Sequence, residues 1–265
     1  MASILDKIVE HKKQELKKLK RETPVSKLFA RVQTLPAPKP FSSALKTQST
    51  VAIIAEVKKA SPSAGCLRED FDPVAIATGY EKNGASAVSV LTDERFFEGS
   101  LVHLQRIREQ VQLPILRKDF MLDPYQIVEA RAYGADTILL ILGMLSDRQC
   151  SELVAAAREF KLDILAEVHT AADLERTLAT GLTCIGINNR NLKTSEVDLN
   201  TTTSLIGGIP KEVTVVSESG IKHRNDIERV AQSGVDAVLV GETLMRQPDV
   251  GLAVRQFLGA QKWSR

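Results

Sequence analysis

Charged side chains end the first apolar, strand-like segment of this sequence. Glu56 and Lys58 close the stretch VAIIAEVK. Successive strand residues point to opposite faces, so these two share one face while Lys59 lies on the other. Ser61 and Pro62 then force the chain out of the strand. The pattern predicts an ion pair that points into an interior, at the carboxyl end of a buried strand.

Polar residues and glycines follow later apolar segments in the same way. If these segments form one sheet, at least two lysines, two or three carboxylates and an arginine surround one opening. Each charge alone is more typical of a solvated or paired group than of a catalyst, but the set is denser than solubility requires. Its members beyond Glu56 and Lys58 are Lys118, Glu167, Asn188, Arg190, Glu218, Ser219, Gly220 and Gly241.

Lys118 and Glu167 offer an acid and a base from separate strands. Such a pair is suited to moving protons around a carbonyl or an imine. Nearby apolar residues could form a wall for an aromatic ring, although core packing explains them too, above all for Leu139. These candidates are Phe97, Phe120, Leu139 and Leu192.

A phosphate site is a second possibility at the same opening. Gly220 and Gly241 would expose backbone N–H groups, and a helix could begin at Glu242. Lys58 or Arg190 could supply the cation. Plain turn chemistry fits the two glycines equally well.

The elements that must position these residues alternate regularly between strand and helix. Eight such pairs predict an α/β fold, a TIM (β/α)8 barrel, whose active site lies at the carboxyl ends of the strands. The predicted strands span residues 51–57, 87–91, 115–118, 137–141, 164–168, 184–187, 213–216 and 237–240. The predicted helices span residues 73–82, 101–109, 124–133, 147–160, 171–179, 200–206, 224–232 and 250–258.

An internal echo supports this count. Gly84, Gly134, Gly181 and Gly234 each open a short strand-like string, at spacings of 50, 47 and 53 residues. Each spacing holds two βα units, so the four strings mark every second strand of a closed barrel. An open doubly wound sheet is the alternative, but it usually has fewer strands and often a GxGxxG turn, which is missing here.

Residues 1–50 predict an N-terminal helical extension to a barrel of residues 51–265, within one domain. Residues 3–21 have an interrupted apolar stripe with lysines elsewhere, as in an amphipathic helix. Pro24 can start a second short helix, and the proline-rich residues 35–40 separate the extension from the barrel. The extension is basic, and its interspersed acidic residues favour a solvated helix face over a nucleic-acid arm.

Composition restricts the partners and the compartment. The formal net charge of +2 implies neither nucleic acid nor a membrane, and no apolar run approaches the ~20 residues of a membrane span. The three cysteines and four histidines are scattered without CxxC or HExxH spacing. We therefore expect a cytoplasmic protein with reduced thiols and no metal site.

Several linked motifs resemble the indole-3-glycerol phosphate synthase family. They occur in order over nearly the whole chain and are IIAEVKKASPSAG, LTDERFFEGS, LPILRKDFMLDPYQI, GADTILLI, LAEVHT, IGINNRNLKTSEVD, SESGI and VLVGETLMR. The resemblance implies a carboxy-lyase of tryptophan biosynthesis. It would convert 1-(2-carboxyphenylamino)-1-deoxyribulose 5-phosphate to indole-3-glycerol phosphate, CO2 and water, with no cofactor. No second barrel follows, so the monofunctional form is expected.

The same resemblance assigns roles by position. Lys118 matches the general acid and Glu167 the general base, and the sequence does not divide the acid role between Lys118 and Lys58. Substrate carboxylate and hydroxyl groups would be held by Glu56, Lys58, Asn188, Glu218 and Ser219. The phosphate would be held by Lys58, Arg190, Gly220 and Gly241. The anthranilate pocket would be formed by Phe97, Phe120, Leu139, Leu192, Ser61 and Pro62.

One position departs from the family pattern. Some members have a small hydroxyl residue after the last strand's glycine, whereas this chain has Glu242, whose side chain is expected to point away from a phosphate.

The resemblance also implies that the N-terminal helices lie over the barrel mouth as a partial lid. A monomer or weak homo-oligomer is expected, with possible association with other enzymes of the pathway.

Two other functions fit the residues. A Schiff-base aldolase could use Lys118 or Lys58 as its nucleophile, because buried lysines on barrel strands do this work. A non-catalytic barrel could bind phosphorylated ligands or a partner protein. The matched donor and acceptor set of Lys118, Glu167 and Glu56 argues against the second, since a binding module does not need it.

Overall fold

Eight parallel strands close into a barrel. The computed structural model describes residues 4–47, 49–192 and 194–265. The strands are β1 (Ala52–Val57), β2 (Ala60–Ser61), β3 (Gly65–Cys66), β4 (Ala87–Leu91), β5 (Ile115–Lys118), β6 (Thr137–Ile141), β7 (Asp163–Val168), β8 (Cys184–Asn188), β9 (Thr214–Glu218) and β10 (Ala237–Val240). β1 and β4 to β10 form the barrel in chain order, and β10 pairs with β1. The predicted TIM barrel is confirmed, and the open sheet is excluded.

The small pair β2 and β3 was not predicted. Ser61 pairs with Gly65 in an antiparallel ladder just after β1, so the chain makes a short hairpin where Ser61 and Pro62 were expected only to end a strand. Two residues per strand are too few to show a sequence periodicity.

Helices cover the outside of the barrel. The helices are α1 (Ile4–Glu22), α2 (Val25–Val32), α3 (Phe41–Leu45), α4 (Pro73–Lys82), α5 (Glu94–Phe97), α6 (Leu101–Gln110), α7 (Pro124–Ala132), α8 (Asp147–Glu159), α9 (Ala171–Ala179), α10 (Asn200–Leu205), α11 (Arg224–Ala231), α12 (Glu242–Met245) and α13 (Val250–Phe257). The eight predicted barrel helices are confirmed with small changes at their ends. α3 and α5 were missed. Among the described residues, no helix is long and apolar enough to cross a membrane.

Capping residues explain where several of these helices begin. Asp72 precedes α4 and accepts hydrogen bonds from the N–H groups of Val74 and Ala75, and Asp123 precedes α7 in a capping box with Gln126. In both helices a proline occupies the first turn, where its missing N–H costs nothing. Local sequence alone therefore determines these two starts.

The strands are buried on both faces, as their continuous apolar runs require. In β1, Ile53, Ala55 and Val57 face the surrounding helices as part of one large apolar cluster. Ala52 and Ile54 belong to a second cluster that fills the barrel interior. The alternation follows from the two-residue period of a strand.

The N-terminal extension is divided between the mouth, the outside and the opposite end of the barrel. Residues at the start of α1, among them Ile4 and Ile8, line the cavity at the carboxyl ends of the strands. α2 packs on the outside against α7. Phe41 and Leu45 of α3 are fully buried in the interior cluster, together with residues that begin the strands, so α3 closes the opposite end of the barrel.

The lysines of α1 were expected to form a solvated face, and most of them are exposed. Lys12 is the exception among the described lysines of this helix, because it is only 2% exposed, between the buried residues Ile8 and Leu16. A buried lysine requires compensating charge. Its partners are carboxylates at the ends of two barrel strands, described below.

The seal at the closed end gives a test of stability. We expect Phe41→Ala to lower the free energy of unfolding by about 3–5 kcal/mol, because it removes a fully buried ring from the interior cluster. Phe29→Ala is the matched control, since Phe29 in the same extension is 40% exposed and should lose about 1 kcal/mol or less. Urea unfolding of both variants measures the difference, and equal losses would contradict the seal.

Candidate active site

The site is built around the ammonium group of Lys118. Nζ of Lys118 lies 2.6 Å from Oε2 of Glu218 and 3.2 Å from Oε2 of Glu167. These residues lie at or next to the carboxyl ends of β5, β9 and β7, and Glu56 lies at the equivalent height of β1. In a barrel, alternate strands contribute side chains to one interior layer. The three carboxylates and the lysine therefore form the top layer of the core, open to the mouth.

The ion pair predicted at the end of β1 is present. Nζ of Lys58 lies 2.8 Å from Oε2 of Glu56, and both side chains are largely buried. Lys59 points to the other face, where its Nζ pairs with Glu98 at 2.7 Å, so it takes no part in the site. The alternation of the strand accounts for both placements.

The pKa values show how the buried charges are balanced. Burial alone would lower the pKa of Lys118, but the carboxylates of Glu218, Glu167 and Glu56 outweigh it and raise the pKa. Burial would raise the pKa of Glu167, but Lys118, His169 and a hydrogen bond from Asn188 together lower it. For Glu218, burial outweighs Lys118 and, with repulsion from Glu167 and Glu56, raises the pKa to about 7. Glu167 is therefore the carboxylate that stays ionised, and Glu218 is the carboxyl group that gains a proton first.

Four residues that support this layer were not singled out from the sequence. Nε2 of His169 lies 3.4 Å from Oε1 of Glu167. The Nδ2 group of Asn189 donates hydrogen bonds of 2.9, 2.9 and 3.1 Å to Oγ of Ser217 and to the carbonyls of Glu218 and Ser219, and so fixes the turn after β9. Thr202 donates to Oδ1 of Asn189 and orients that amide.

The fourth is a glycine. A Cβ atom on Gly186 of β8 would collide with Oε1 of Glu218. The missing side chain makes room for the carboxylate of Glu218. No helix-capping or phosphate-binding pattern in the sequence indicates this role of Gly186. The signal available in the sequence was a glycine within an otherwise apolar strand, IGIN.

The predicted phosphate residues lie on the side of the mouth formed by the turns after β8, β9 and β10. Ser219 and Gly220 have φ values of +65° and +87°, so the turn after β9 is left-handed at both positions, which a serine rarely adopts. A Cβ on Gly241 would collide with Oε2 of Glu56 and lie 3.1 Å from Nζ of Lys58. Gly241 is therefore needed to accommodate the ion pair as well as any phosphate.

Two charged residues on this side already have partners. Arg190 donates from Nη1 to the carbonyl of Ser195 at 3.2 Å while it lines the mouth. Oε1 of Glu242 pairs with Arg246 one turn along, at 3.0 Å. Both members of this pair also line the cavity.

An apolar wall stands on the opposite side. Phe97 and Phe120 have their ring centroids 6.1 Å apart. Phe120 and Leu192 pack on the interior cluster that contains Leu139, so Leu139 belongs to the core and also lines the site. Leu192 belongs to the loop after β8, as does Arg190, and Ser61 and Pro62 line the cavity just after β1.

All of the predicted residues line one cavity of about 1060 Å³. Its base carries the charges around Lys118, one side carries the glycine turns and cations, and the other carries the aromatic wall. Such a cavity suits a ligand with an anionic end and an aromatic end. Within the described ranges, no group of three or more His, Cys, Asp or Glu side chains is placed to hold a metal ion.

Comparison with known proteins supports the sequence resemblance. The synthase of Dehalococcoides mccartyi, named indole-3-glycerol phosphate synthase, is 49% identical over 259 residues, covering 96% of this chain and all of its own. The protein of the same name from Roseiflexus castenholzii is 47% identical over 267 residues, covering 98% of this chain and 99% of its own.

Solved structures with low identity show the fold alone. Thiamine phosphate pyrophosphorylase from Pyrococcus furiosus has a TM-score of 0.60 at 15% identity, covering 82% of this chain and 96% of its own. 3-Hexulose-6-phosphate synthase from Salmonella typhimurium has a TM-score of 0.63 at 11% identity, covering 78% of this chain and 96% of its own.

The sequence profile for indole-3-glycerol phosphate synthase matches residues 5–257. With the close relatives above, this match shows that the chain belongs to the indole-3-glycerol phosphate synthase family.

Proposed function

We propose that this chain is a carboxy-lyase that closes the indole ring of indole-3-glycerol phosphate in tryptophan biosynthesis. Its substrate would be 1-(2-carboxyphenylamino)-1-deoxyribulose 5-phosphate. The observation that carries the proposal is a charged lysine held between two carboxylates, at the base of a cavity with an aromatic wall on one side and cationic glycine turns on the other. These three regions match the ketone, the anthranilate ring and the phosphate of that substrate.

Substrate orientation follows from this division. The ring would lie against Phe97 and Phe120, and the phosphate near Gly220, Gly241 and Arg190. Lys58, beside Gly241, would then contact the phosphate end, which leaves Lys118 to act at the ketone. Lys58 pairs with Glu56, whereas Lys118 pairs with Glu167 and Glu218, and this difference in partners supports one general acid instead of a shared role.

Lys118 begins the reaction by donating a proton to the ketone oxygen while the ring carbon that bears the carboxylate attacks the carbonyl carbon. A new carbon–carbon bond forms and the oxygen becomes a hydroxyl. The carbon–carboxylate bond then breaks and CO2 leaves, and its electron pair restores the aromatic ring. The raised pKa of Lys118 keeps it protonated in the resting site, and transfer becomes favourable as alkoxide character develops.

Dehydration completes the product. Lys118, reprotonated from solvent, donates a second proton to the new hydroxyl, which leaves as water, and Glu167 removes a proton from the substrate to form the double bond of the indole. The lowered pKa of Glu167 means that its carboxylate is ionised and able to accept this proton. No cofactor is consumed, and one net proton taken from solvent balances the ionised carboxylate of the substrate, so that CO2, water and indole-3-glycerol phosphate account for every atom.

The Schiff-base alternative is less well supported by the geometry. A lysine must lose its proton to act as a nucleophile. Lys118 is surrounded by carboxylates that favour its charged form, and Lys58 is paired with Glu56. Borohydride trapping in the presence of substrate distinguishes the two chemistries, because only an imine would leave a covalent adduct on the chain.

The acid and base roles predict large losses of rate. We expect Lys118→Met and Glu167→Gln each to lower turnover of the anthranilate-bearing ribulose phosphate by about 100-fold to 10,000-fold, because each removes one proton-transfer group. Lys59→Met is the matched control and should keep near-normal turnover, since Lys59 lies on the other face of the chain after β1. The fluorescence of the indole product measures the rate, and near-normal turnover in both active-site variants would contradict the mechanism.

The raised pKa of Glu218 predicts a dependence of stability on pH. The folded chain holds this proton up to a pH of about 7, whereas an unfolded glutamate loses it near 4.3. The resulting stabilisation is complete at pH values below the pKa of Glu218 in the unfolded chain, and it is lost as the pH rises through 7. Relative to Glu218→Gln, the wild-type free energy of unfolding should therefore fall by about 3 kcal/mol between pH 4 and pH 8.

Denaturant unfolding across this pH range tests the prediction. Glu242→Gln is the control, because Glu242 lies outside the charged layer, and it should keep the wild-type slope. A constant difference between wild type and Glu218→Gln at all pH values would show that folding does not change the pKa of Glu218, and would contradict the prediction.

A further inference from the structure

We propose that Lys12 is a positioning residue that fixes the two aromatic side chains of the site, Phe97 and Phe120, by binding the carboxylates of Asp93 and Asp119. Through this contact, the anchorage of helix α1 and recognition of the substrate's ring would depend on the same ammonium group. The inference deepens the proposed function and rests on it for the identity of the ring.

The contacts of Lys12 are short and shielded from water. Its Nζ lies 3.0 Å from Oδ2 of Asp93, 3.0 Å from Oδ1 of Asp119 and 2.8 Å from Oε2 of Glu15. The Lys12 side chain is 3% exposed, and those of Asp93 and Asp119 are 1% and 2% exposed. Removing one partner from such a buried cluster leaves the others uncompensated, which is far more costly than breaking a surface pair.

Asp93 controls the segment that carries Phe97. It follows β4 and caps α5, and its Oδ1 accepts a hydrogen bond of 2.8 Å from the N–H of Phe96. Its carbonyl also accepts from the N–H of Gly99 at 2.8 Å, where a Cβ atom would collide with the carbonyl of Leu91. The four residues of α5 are thus held at both ends, and Asp93 is the point where Lys12 reaches them.

Asp119 controls the backbone next to the general acid. It lies between Lys118 and Phe120, and its Oδ1 accepts from the N–H of Phe120 at 2.8 Å. Its Oδ2 accepts from Oγ1 of Thr92 at 2.6 Å and pairs with Arg117 at 3.2 Å. Although burial opposes it, the charges of Lys12 and Arg117 lower the pKa of Asp119 to about 2, so the carboxylate stays ionised.

Lys12 also fixes the position of the first turns of α1, which line the mouth of the barrel. Ile8 lies one turn before Lys12 on the same face of α1, and Ile4 lies a turn earlier. Ile4, Leu5 and Ile8 all line the cavity. Lys12 is therefore the buried ionic contact from which α1 extends over the site, while its carboxylate partners lead directly to the two rings.

A second ion pair on α1 provides the comparison. Nζ of Lys20 lies 2.6 Å from Oδ2 of Asp123, and this pair also joins α1 to the barrel. The two side chains are 46% and 32% exposed, so the pair contributes little to stability. It does not contact the residues that precede either aromatic ring. Lys20→Met thus tests attachment of the helix without disturbing the rings.

The experiment compares binding of a ring ligand with binding of an anion. Anthranilate and inorganic phosphate are titrated into the full chain by calorimetry, which does not depend on turnover. The main variant is Lys12→Met combined with Asp93→Asn, because it removes one charge of each sign and leaves Asp119 paired with Arg117. Lys12→Arg keeps the positive charge, and Lys20→Met is the control.

We expect the double variant to bind anthranilate at least 10-fold more weakly while phosphate affinity stays within 2-fold of the wild type. Lys12→Arg should bind anthranilate more tightly than the double variant and more weakly than the wild type. Lys20→Met should match the wild type for both ligands. An equal loss for both ligands would overturn the proposal, since it would mean general damage to the site. Unchanged anthranilate binding in the double variant would overturn it as well.

Hydrogen exchange separates this proposal from the proposed function. If the wild type neither binds anthranilate nor turns over the substrate, the function is wrong, and the positioning role is judged from the ligand-free chain. Amides of residues 94–97 and 119–121 should then exchange at least 10-fold faster in the double variant than in wild type or Lys20→Met. Unchanged exchange at these amides would refute the role of Lys12 whatever the substrate.

Discussion

The active site depends on the compensation of three buried carboxylates at one end of the barrel. Glu56, Glu167 and Glu218 are each no more than 3% exposed and belong to one layer of the interior. Carboxylates buried this close together favour their neutral, protonated forms unless cations enter the layer. Lys118 and Lys58 are those cations. The balance of burial and charge therefore keeps Lys118 protonated and Glu167 ionised, which are the starting states that the proposed mechanism requires.

Space is the other constraint on this layer. Gly186 and Gly241 lack the Cβ atoms that would collide with the carboxylates of Glu218 and Glu56. Below the layer the interior is filled by apolar side chains, and α3 seals the far end. The two ends of the barrel therefore differ in composition. The closed end is stabilised by apolar packing, and the open end contains the buried charges, which are costly to desolvate. The left-handed conformation of Ser219 belongs to the open end, where the Asn189 side chain maintains it.

The sequence predicted the parts of this molecule that have a local signal. The eight strands have apolar runs and the barrel helices have caps, so their positions differ from prediction by only a few residues. The charged residues at strand ends were found because a parallel barrel brings those ends together. The short α5 and the hairpin of β2 and β3 have too few residues for a periodic signal. Asn189 and His169 act by orienting other side chains, which depends on three-dimensional contacts that no spacing reveals.

Lys12 is different, because a signal for its burial was present. It lies four residues after Ile8 and four before Leu16, so it occupies the apolar stripe of α1 and not its polar face. A lysine in such a stripe either reaches solvent through a gap in the packing or forms ion pairs with buried carboxylates. Asp119 directly follows β5 and Asp93 lies two residues after β4, where a barrel gathers its polar residues, so both were available as partners. Judging the extension by its total charge concealed this position. The stripe is the better guide, because burial is decided by the side that faces the barrel and not by the composition of the helix.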